Sequence, residues 1–197
     1  MKYCTRCVYP LVAVNLYIDE EGVCSACRVA EQFSQLTEEF WKIRKQKFEQ
    51  IIEETKKKKQ SDYDCLIPVS GGKDSYFQTH MIVKEYGLKP LLVTYHGNNY
   101  LPEGDYNRDR MRHVFDADHL VFGPSVDILK KLNRLCFRKM GDMNWHNHCG
   151  IYTYPVQIAV KMNIPLIVWG EHGYLDLGGM YSMNDFIEMT RKFRDEH

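Results

Sequence analysis

The residues of this chain best suited to chemistry are Ser70-Gly71-Gly72-Lys73-Asp74-Ser75. Two adjacent glycines let backbone N–H groups approach an anion closely, and a helix starting here aims further unpaired N–H groups at it. Ser70 and Ser75 add hydroxyls, and Lys73 adds a point charge. Asp74 is the odd member, because a carboxylate repels phosphates. It makes sense as a ligand to Mg²⁺, directly or through water, since magnesium commonly takes one carboxylate together with phosphate oxygens. Capping the helix is a compatible role. The spacing excludes the ordinary nucleoside-triphosphate P-loop, which requires a glycine five residues before Gly72, where Ile67 stands.

A second group is Cys4-Thr5-Arg6-Cys7 with Cys24-Ser25-Ala26-Cys27, the two pairs separated by sixteen residues. Each pair presents two sulfurs from one tight turn, and two such turns complete a tetrahedron around a metal. A structural zinc is the expectation. Redox-active thiols and an iron–sulfur cluster stay open, since nothing in the spacing favours either. The intervening 12–18 reads as strand and Asp19-Glu20-Glu21-Gly22 as a turn, so residues 1–30 should fold as a small ribbon.

Two further stretches carry polar candidates. Gly170-Glu171-His172-Gly173 follows an apolar run, and Glu171 could bind metal, orient a substrate amide or act as a base, or simply reach solvent. Gly178-Gly179 would give that loop freedom to close. In Asp142-Met143-Asn144-Trp145-His146-Asn147-His148-Cys149, strand-like alternation would bring His146 and His148 together and send Cys149 away. Substrate contact through Trp145, His146 and His148, structural packing and a second metal are the readings there. Cys65 and Cys136 lie in apolar contexts and are expected to be buried.

These residues need elements to hold them. Apolar residues at three- and four-residue steps from Phe33 to Thr55 predict one long amphipathic helix with room for a single break, linking the ribbon to the rest over 31–60. It closes on Lys56-Lys57-Lys58-Lys59, a solvated helix end favoured by the dipole. From 61 to 197 strands and helices alternate, which predicts an α/β domain: an open, mostly parallel sheet with helices on both faces. Strands are expected at 64–69, 90–95, 118–122 and 164–169, and helices at 74–86, 105–115, 125–139, 153–162 and 184–195. Gly87, Gly123, Pro124, Pro155 and Pro165 fall at the joints. Ligands gather at the carboxyl ends of such strands, which are Ser70, Tyr95-His96, Phe122-Gly123 and Trp169-Gly170-Glu171.

With 26 basic and 26 acidic residues in 197, the net charge is zero, which argues against a broad basic face for nucleic acid. No apolar run approaches the ~20 residues needed to span a bilayer, and the N-terminus lacks a signal-peptide core, so a cytoplasmic location is expected.

The Ser70–Ser75 loop resembles the pyrophosphate loop of the ATP-pyrophosphatase superfamily (HUP or PP-loop type), whose members join substrates to AMP and expel pyrophosphate. The paired cysteines, the helix with Trp41, the block 63–75, Gly141-Asp142-Met143-Asn144-Trp145-His146 and Ile164 through Glu171 together look like the N-acetyl sugar amidotransferases, over essentially the whole chain. That resemblance implies ATP, Mg²⁺ and structural Zn²⁺ as cofactors. It implies ATP contacts from Ser70, Gly71, Gly72, Lys73, Asp74, Ser75, Tyr95 and Gly170, with Lys73, Asp74 and Glu171 catalytic. The implied reaction adenylates the acetamido oxygen of an N-acetyl sugar and replaces it with nitrogen, giving an acetamidino group. A separate glutamine amidotransferase would deliver the ammonia, in bacterial surface polysaccharide or nonulosonic acid pathways. Members of the family are longer than this chain, so part of the sugar site is expected to lie beyond a truncated C-terminus. A tRNA thiolase of the same superfamily is the rival, but it needs a sulfur-carrying thiol and a basic surface; after the loop only Cys136 and Cys149 offer themselves, and they are not a paired motif. A zinc-ribbon module that senses ATP or AMP without turnover is the non-catalytic alternative.

Overall fold

The computed structural model describes residues 2–12, 16–58, 60–97 and 100–170. Two compact units divide within the second helix, the first running to Phe48 and the second spanning Glu49–Gly170. The expected ribbon strand 12–18 is only partly described, because 13–15 lie outside. In its place isolated antiparallel bridges join Tyr3 to Pro10 and Ile18 to Cys24. The long helix forms as two, α1 (Ser25–Ser34) and α2 (Glu38–Lys57), with the break at 35–37. Thr37 Oγ1 accepts from the Phe40 amide at 3.2 Å, an N-terminal capping bond that starts α2 afresh. The anticipated helix 184–195 and Glu171 lie outside the described residues.

In the second unit β1 (Cys65–Pro68), β2 (Pro90–Tyr95) and β3 (Asp118–Phe122) form a parallel sheet in the order β1-β2-β3, with Leu66 opposite Leu91 and Val93 opposite Leu120. Helices α3 (Lys73–His80), α4 (Pro102–Phe115), α5 (Val126–Met140) and α6 (Trp145–Lys161) complete it. The expected strand 164–169 reduces to one parallel bridge, Leu66 to Ile167, sealed by Leu66 N–H to Leu166 C=O and Val168 N–H to Leu66 C=O, both 2.9 Å. The Ile167 segment therefore lies on the side of β1 away from β2. Neighbours reached in opposite directions make the carboxyl end of β1 a topological switch point, the place where such sheets open a crevice for ligands.

Both faces of β1 and β2 are covered, while β3 at the sheet edge is largely exposed. Leu66, Leu91 and Val93 point to one face and pack with Ala159, Ile164, Tyr154 and Ile158 of α6 and its exit. Alternation sends Ile67 and Leu92 to the other face, where they are fully buried, as are Ile82 and Met111 from the crossover helices. The chain is thus α/β, a parallel sheet between helical layers. Helix α3 runs into a π-helical turn over Met81–Glu85, and Gly87 at φ +63° then reverses the chain toward β2.

Helix α6 departs from expectation. It begins at Trp145, eight residues before the anticipated start, and passes through Pro155, which reads as a joint in the sequence. Proline removes one helical N–H bond, but here its ring is buried and the helix is held on both sides of it. Gly150 lies flat against Tyr95, and Ala159 packs into the core.

Candidate functional site

The phosphate-type loop stands at that switch point. Gly71 adopts φ +83°, a conformation side chains resist, and a Cβ there would fall 2.6 Å from the Arg108 amide nitrogen and 2.8 Å from its Cα. Glycine is therefore required twice over. The Ser70 N–H donates to Ser75 Oγ at 2.9 Å, the two hydroxyls lie 3.3 Å apart, and the Gly72 N–H donates to Ser70 Oγ at 3.3 Å. Ser75 is buried and its carbonyl accepts from Thr79 Oγ1 at 2.7 Å, so the loop is tied to the first turn of α3 from inside.

Gly72, with no capping side chain, is the N-cap of α3. Asp74 therefore does not cap the helix from its boundary; it lies inside the first turn, where a carboxylate suits the positive end of the dipole. Both its oxygens accept from Lys73 Nζ at 2.8 Å, and the two side chains are well exposed. The first helical bond of α3 is Tyr76 N–H to Gly72 C=O, so the amides of residues 73–75 have no helical acceptor and the helix start can receive an anion. One exposed carboxylate is also the donor set magnesium takes alongside phosphate oxygens, so Asp74 suits that ion.

Two side chains stitch the carboxyl ends together. Gln78 Nε2 on α3 reaches Pro68 C=O at 3.3 Å and Val168 C=O at 3.4 Å, bridging β1 to the Ile167 segment. Its Oε1 lies 1.9 Å from where a Gly170 Cβ would be, so Gly170 meets the loop helix closely. Thr94 Oγ1 donates to Val69 C=O at 2.5 Å and lies 2.8 Å from His119 Nε2. A threonine has one hydroxyl proton, so His119 must donate from Nε2. Burial, reinforced by Arg108, lowers the His119 pKa to about 4.

The remaining expected site residues separate. The Tyr95 ring is wedged against α6, within 6.3 Å of Tyr154 and 5.9 Å of Phe122, and burial pushes its phenol pKa up; it packs the sheet end to α6. Helical geometry turns His146 and His148 apart. His146 is buried with Nε2 against Asn133 Oδ1, and burial lowers its pKa, whereas Trp145 and His148, one turn apart, are exposed. The alternation expected here fails because the segment is helix. Cys65 and Cys136 are buried, as expected.

Arg108 emerges only from the structure, as does its bond to His96, which the sequence marks only as part of a strand end. Arg108 is 8% exposed, with its guanidinium on Asp105 (3.0 Å), Asp109 (3.1 Å) and His96 Nδ1 (3.2 Å) and 5.7 Å from the centre of the Tyr100 ring. The one sequence signal was its place on the buried stripe Arg108, Met111, Phe115 of α4.

In the first unit, Cys4, Cys7, Cys24 and Cys27 bring their sulfurs within 4.8 Å of one another, with Cys4–Cys27 at 3.9 Å and Cys7–Cys24 at 3.6 Å. The Cys7 amide, with those of Cys24 and Arg6, lowers the Cys4 thiol to about 6, while burial pushes Cys27 up to about 12 and raises Cys24. One sulfur of the four is thus favoured as the anion while neighbours keep protons, and a cation among them would relieve that conflict. Arg28 braces the cluster through Asp19 (2.8 Å), Glu31 (3.0 Å) and Glu21, and Arg6 pairs with Glu31. Asp19 Oδ1 holds the turn by accepting from Val23 N–H at 2.9 Å and Glu21 N–H at 3.0 Å.

Fold and candidate site together comprise a parallel α/β unit with a glycine loop at its switch point and a four-cysteine cluster able to hold a metal. No family model matches the sequence, and no curated protein matches it. Among solved structures it is similar to the U34-tRNA thiolase NcsA from Methanococcus maripaludis with its [4Fe-4S] cluster, at 12% identity and a TM-score of 0.41, covering 89% of this chain and 55% of that one. Among the described residues no helix is long and apolar enough to cross a membrane.

Proposed function

We propose that this chain is an ATP-dependent, AMP-forming amidotransferase acting on an N-acetyl sugar. The carrying observation is the loop at the carboxyl end of β1, where Gly71 at φ +83°, the Ser70–Ser75 lock and the open start of α3 form an anion cradle. Lys73 at its mouth can meet phosphate charge directly, whereas Asp74, which pairs with it here, can do so only through a bound Mg²⁺.

On this reading the loop N–H groups and Lys73 hold the β- and γ-phosphates as negative charge builds on them, an electrostatic contribution realised mainly in the transition state. The acetamido oxygen attacks the α-phosphorus, the bond from that phosphorus to the bridging oxygen breaks, and pyrophosphate leaves. Ammonia then adds to the activated carbon, the carbon–oxygen bond breaks, AMP departs, and loss of protons from nitrogen leaves the amidine. An amide oxygen is a poor leaving group, and adenylation makes it a good one. Mg²⁺ held by Asp74 would neutralise phosphate charge. Glu171, Trp145 and His148 are proposed on the sugar side, with ammonia from a glutamine amidotransferase partner. His146, buried on Asn133, is not proposed as a sugar contact.

For the cysteine cluster we propose a structural zinc. A tetrahedral ion with Zn–S of about 2.3 Å sets its sulfurs roughly 3.8 Å apart, close to the 3.6 and 3.9 Å separations here. A four-iron cubane needs its cysteine sulfurs farther apart.

The test is to incubate the protein with ATP, Mg²⁺ and ammonium and screen UDP-linked and nonulosonic N-acetyl sugars by mass spectrometry. A product one mass unit lighter, formed with AMP, is expected. AMP formed only with tRNA would support the thiolase reading, and nucleotide binding with no AMP would support a sensor.

A further inference from the structure

Arg108 is a buried cation that the amidotransferase reading leaves without a role. It meets the loop and the end of β2 at once. Its backbone abuts Gly71, where a Cβ would lie 2.6 Å from the amide nitrogen. Its guanidinium is steadied by Asp105 and Asp109 from its own helix and reaches His96 Nδ1 at 3.2 Å. A guanidinium can only donate. Nδ1 of His96 is therefore the acceptor, and the neutral ring carries its proton on Nε2. The Tyr100 ring, edge-on to His96 at 4.5 Å, and the His96 N–H bond to Phe122 C=O at 2.7 Å hold that orientation. His96 is only partly buried and follows directly on β2, at the sheet end that carries the loop.

We propose that Arg108 is a positioning residue for nucleotide recognition, fixing His96 in the Nε2–H form so that the imidazole donates a hydrogen bond to an anionic group of the nucleotide held by the loop. This rests on the reading of the loop as an ATP site. A bare surface arginine would not need two acids, a histidine and an aromatic face to hold it. A buried one that spends a donor on an imidazole nitrogen selects a tautomer, and the choice matters only where the other nitrogen meets a partner.

The experiment is a double-mutant cycle on the full chain with MgATP and inorganic pyrophosphate as probes, read by calorimetry. Arg108→Met and His96→Ala should each weaken MgATP binding by about tenfold, the scale of one charge-assisted or well-placed hydrogen bond. The double variant should lose no more than either alone, because both break the same contact. His96→Gln, which keeps an N–H near the Nε2 position, should bind within about threefold of the wild type. Side-chain ¹⁵N NMR of His96 should report the Nε2–H tautomer in the wild type and a mixture in Arg108→Met, a change that loss of stability alone would not produce. Should Arg108→Met fail to fold, Arg108→Lys, which keeps charge but loses the fork, carries the same readouts. Losses that multiply in the double variant, or an unchanged tautomer, overturn the proposal while leaving the ATP site standing. A wild-type chain that binds neither probe overturns the ATP reading, and this inference with it.

Discussion

Gly71 and Arg108 meet backbone to backbone, so closely that a single added carbon on the glycine would fall 2.6 Å from the arginine's amide nitrogen. The loop that would bind phosphate is thereby shaped by a helix thirty-odd residues further along, and the neighbour in question is main chain, which cannot swing aside.

Gly71→Ala should therefore be severe. The left-handed backbone alone costs about 1–2 kcal/mol for a residue with a Cβ, and the collision with α4 adds to it. Gly72 has φ −76°, and its Cβ would meet only Ser70 Oγ at 3.4 Å, so Gly72→Ala should fold nearly normally. Thermal unfolding of the two variants checks the contrast; equal losses would contradict the loop geometry.

A second glycine makes a different prediction. A Cβ on Gly150 would lie 2.2 Å from Tyr95 Cε1, on a rigid ring already hemmed in by Phe122 and Tyr154. Gly150→Ala should destabilise by about 1–3 kcal/mol through overpacking, and Tyr95→Leu in the same chain should recover part of that loss. Denaturant unfolding of the single and double variants tests the coupling.

His119 predicts a pH dependence. Its pKa is lowered from 6.5 to about 4 in the fold, so between those values the unfolded chain binds a proton that the folded chain refuses. Stability contributed by the neutral ring is present above about pH 6.5 and is lost as pH falls toward 4. His119→Gln, which keeps an N–H for Thr94 and does not titrate, should flatten that slope. Urea midpoints measured from pH 7 to 4 decide it.

The cysteine cluster predicts about one metal ion per chain, bound at the expense of thiol protons. Cys24→Ser should lower the metal content sharply and loosen the segment before α1. Strong chelation of the wild type should release zinc and expose reactive thiols, leaving the sheet of the second unit folded. Elemental analysis alongside thiol titration reads both outcomes; iron with sulfide would contradict the single-ion reading.

Much of this was legible in the sequence for identifiable reasons. Cys65 through Ser75 announces itself because an apolar strand, two glycines and a helical pattern follow without interruption, and local chemistry alone dictates that turn. The paired cysteines are legible because their spacing is the constraint. The start of α6 is not, since Trp145 through Gly150 has poor helix formers and Pro155 lies ahead; contacts with Tyr95 and the core outweigh propensity there. Arg108 was hidden because an arginine flanked by aspartates reads as an exposed helix pair, and only its register with Met111 and Phe115 turns it inward. Glu171 lies outside the described residues, so its part stays a proposal.

The central claim is that Ser70–Ser75 binds the pyrophosphate end of ATP for adenylation. Its most direct test is ³¹P NMR of ATP and Mg²⁺ with ammonium and an N-acetyl sugar, comparing the wild type with Asp74→Asn. AMP and pyrophosphate in equal amounts, dependent on the sugar and abolished in Asp74→Asn while its thermal unfolding is unchanged, is the predicted result. ADP with inorganic phosphate, or AMP release that Asp74→Asn leaves intact, would contradict it.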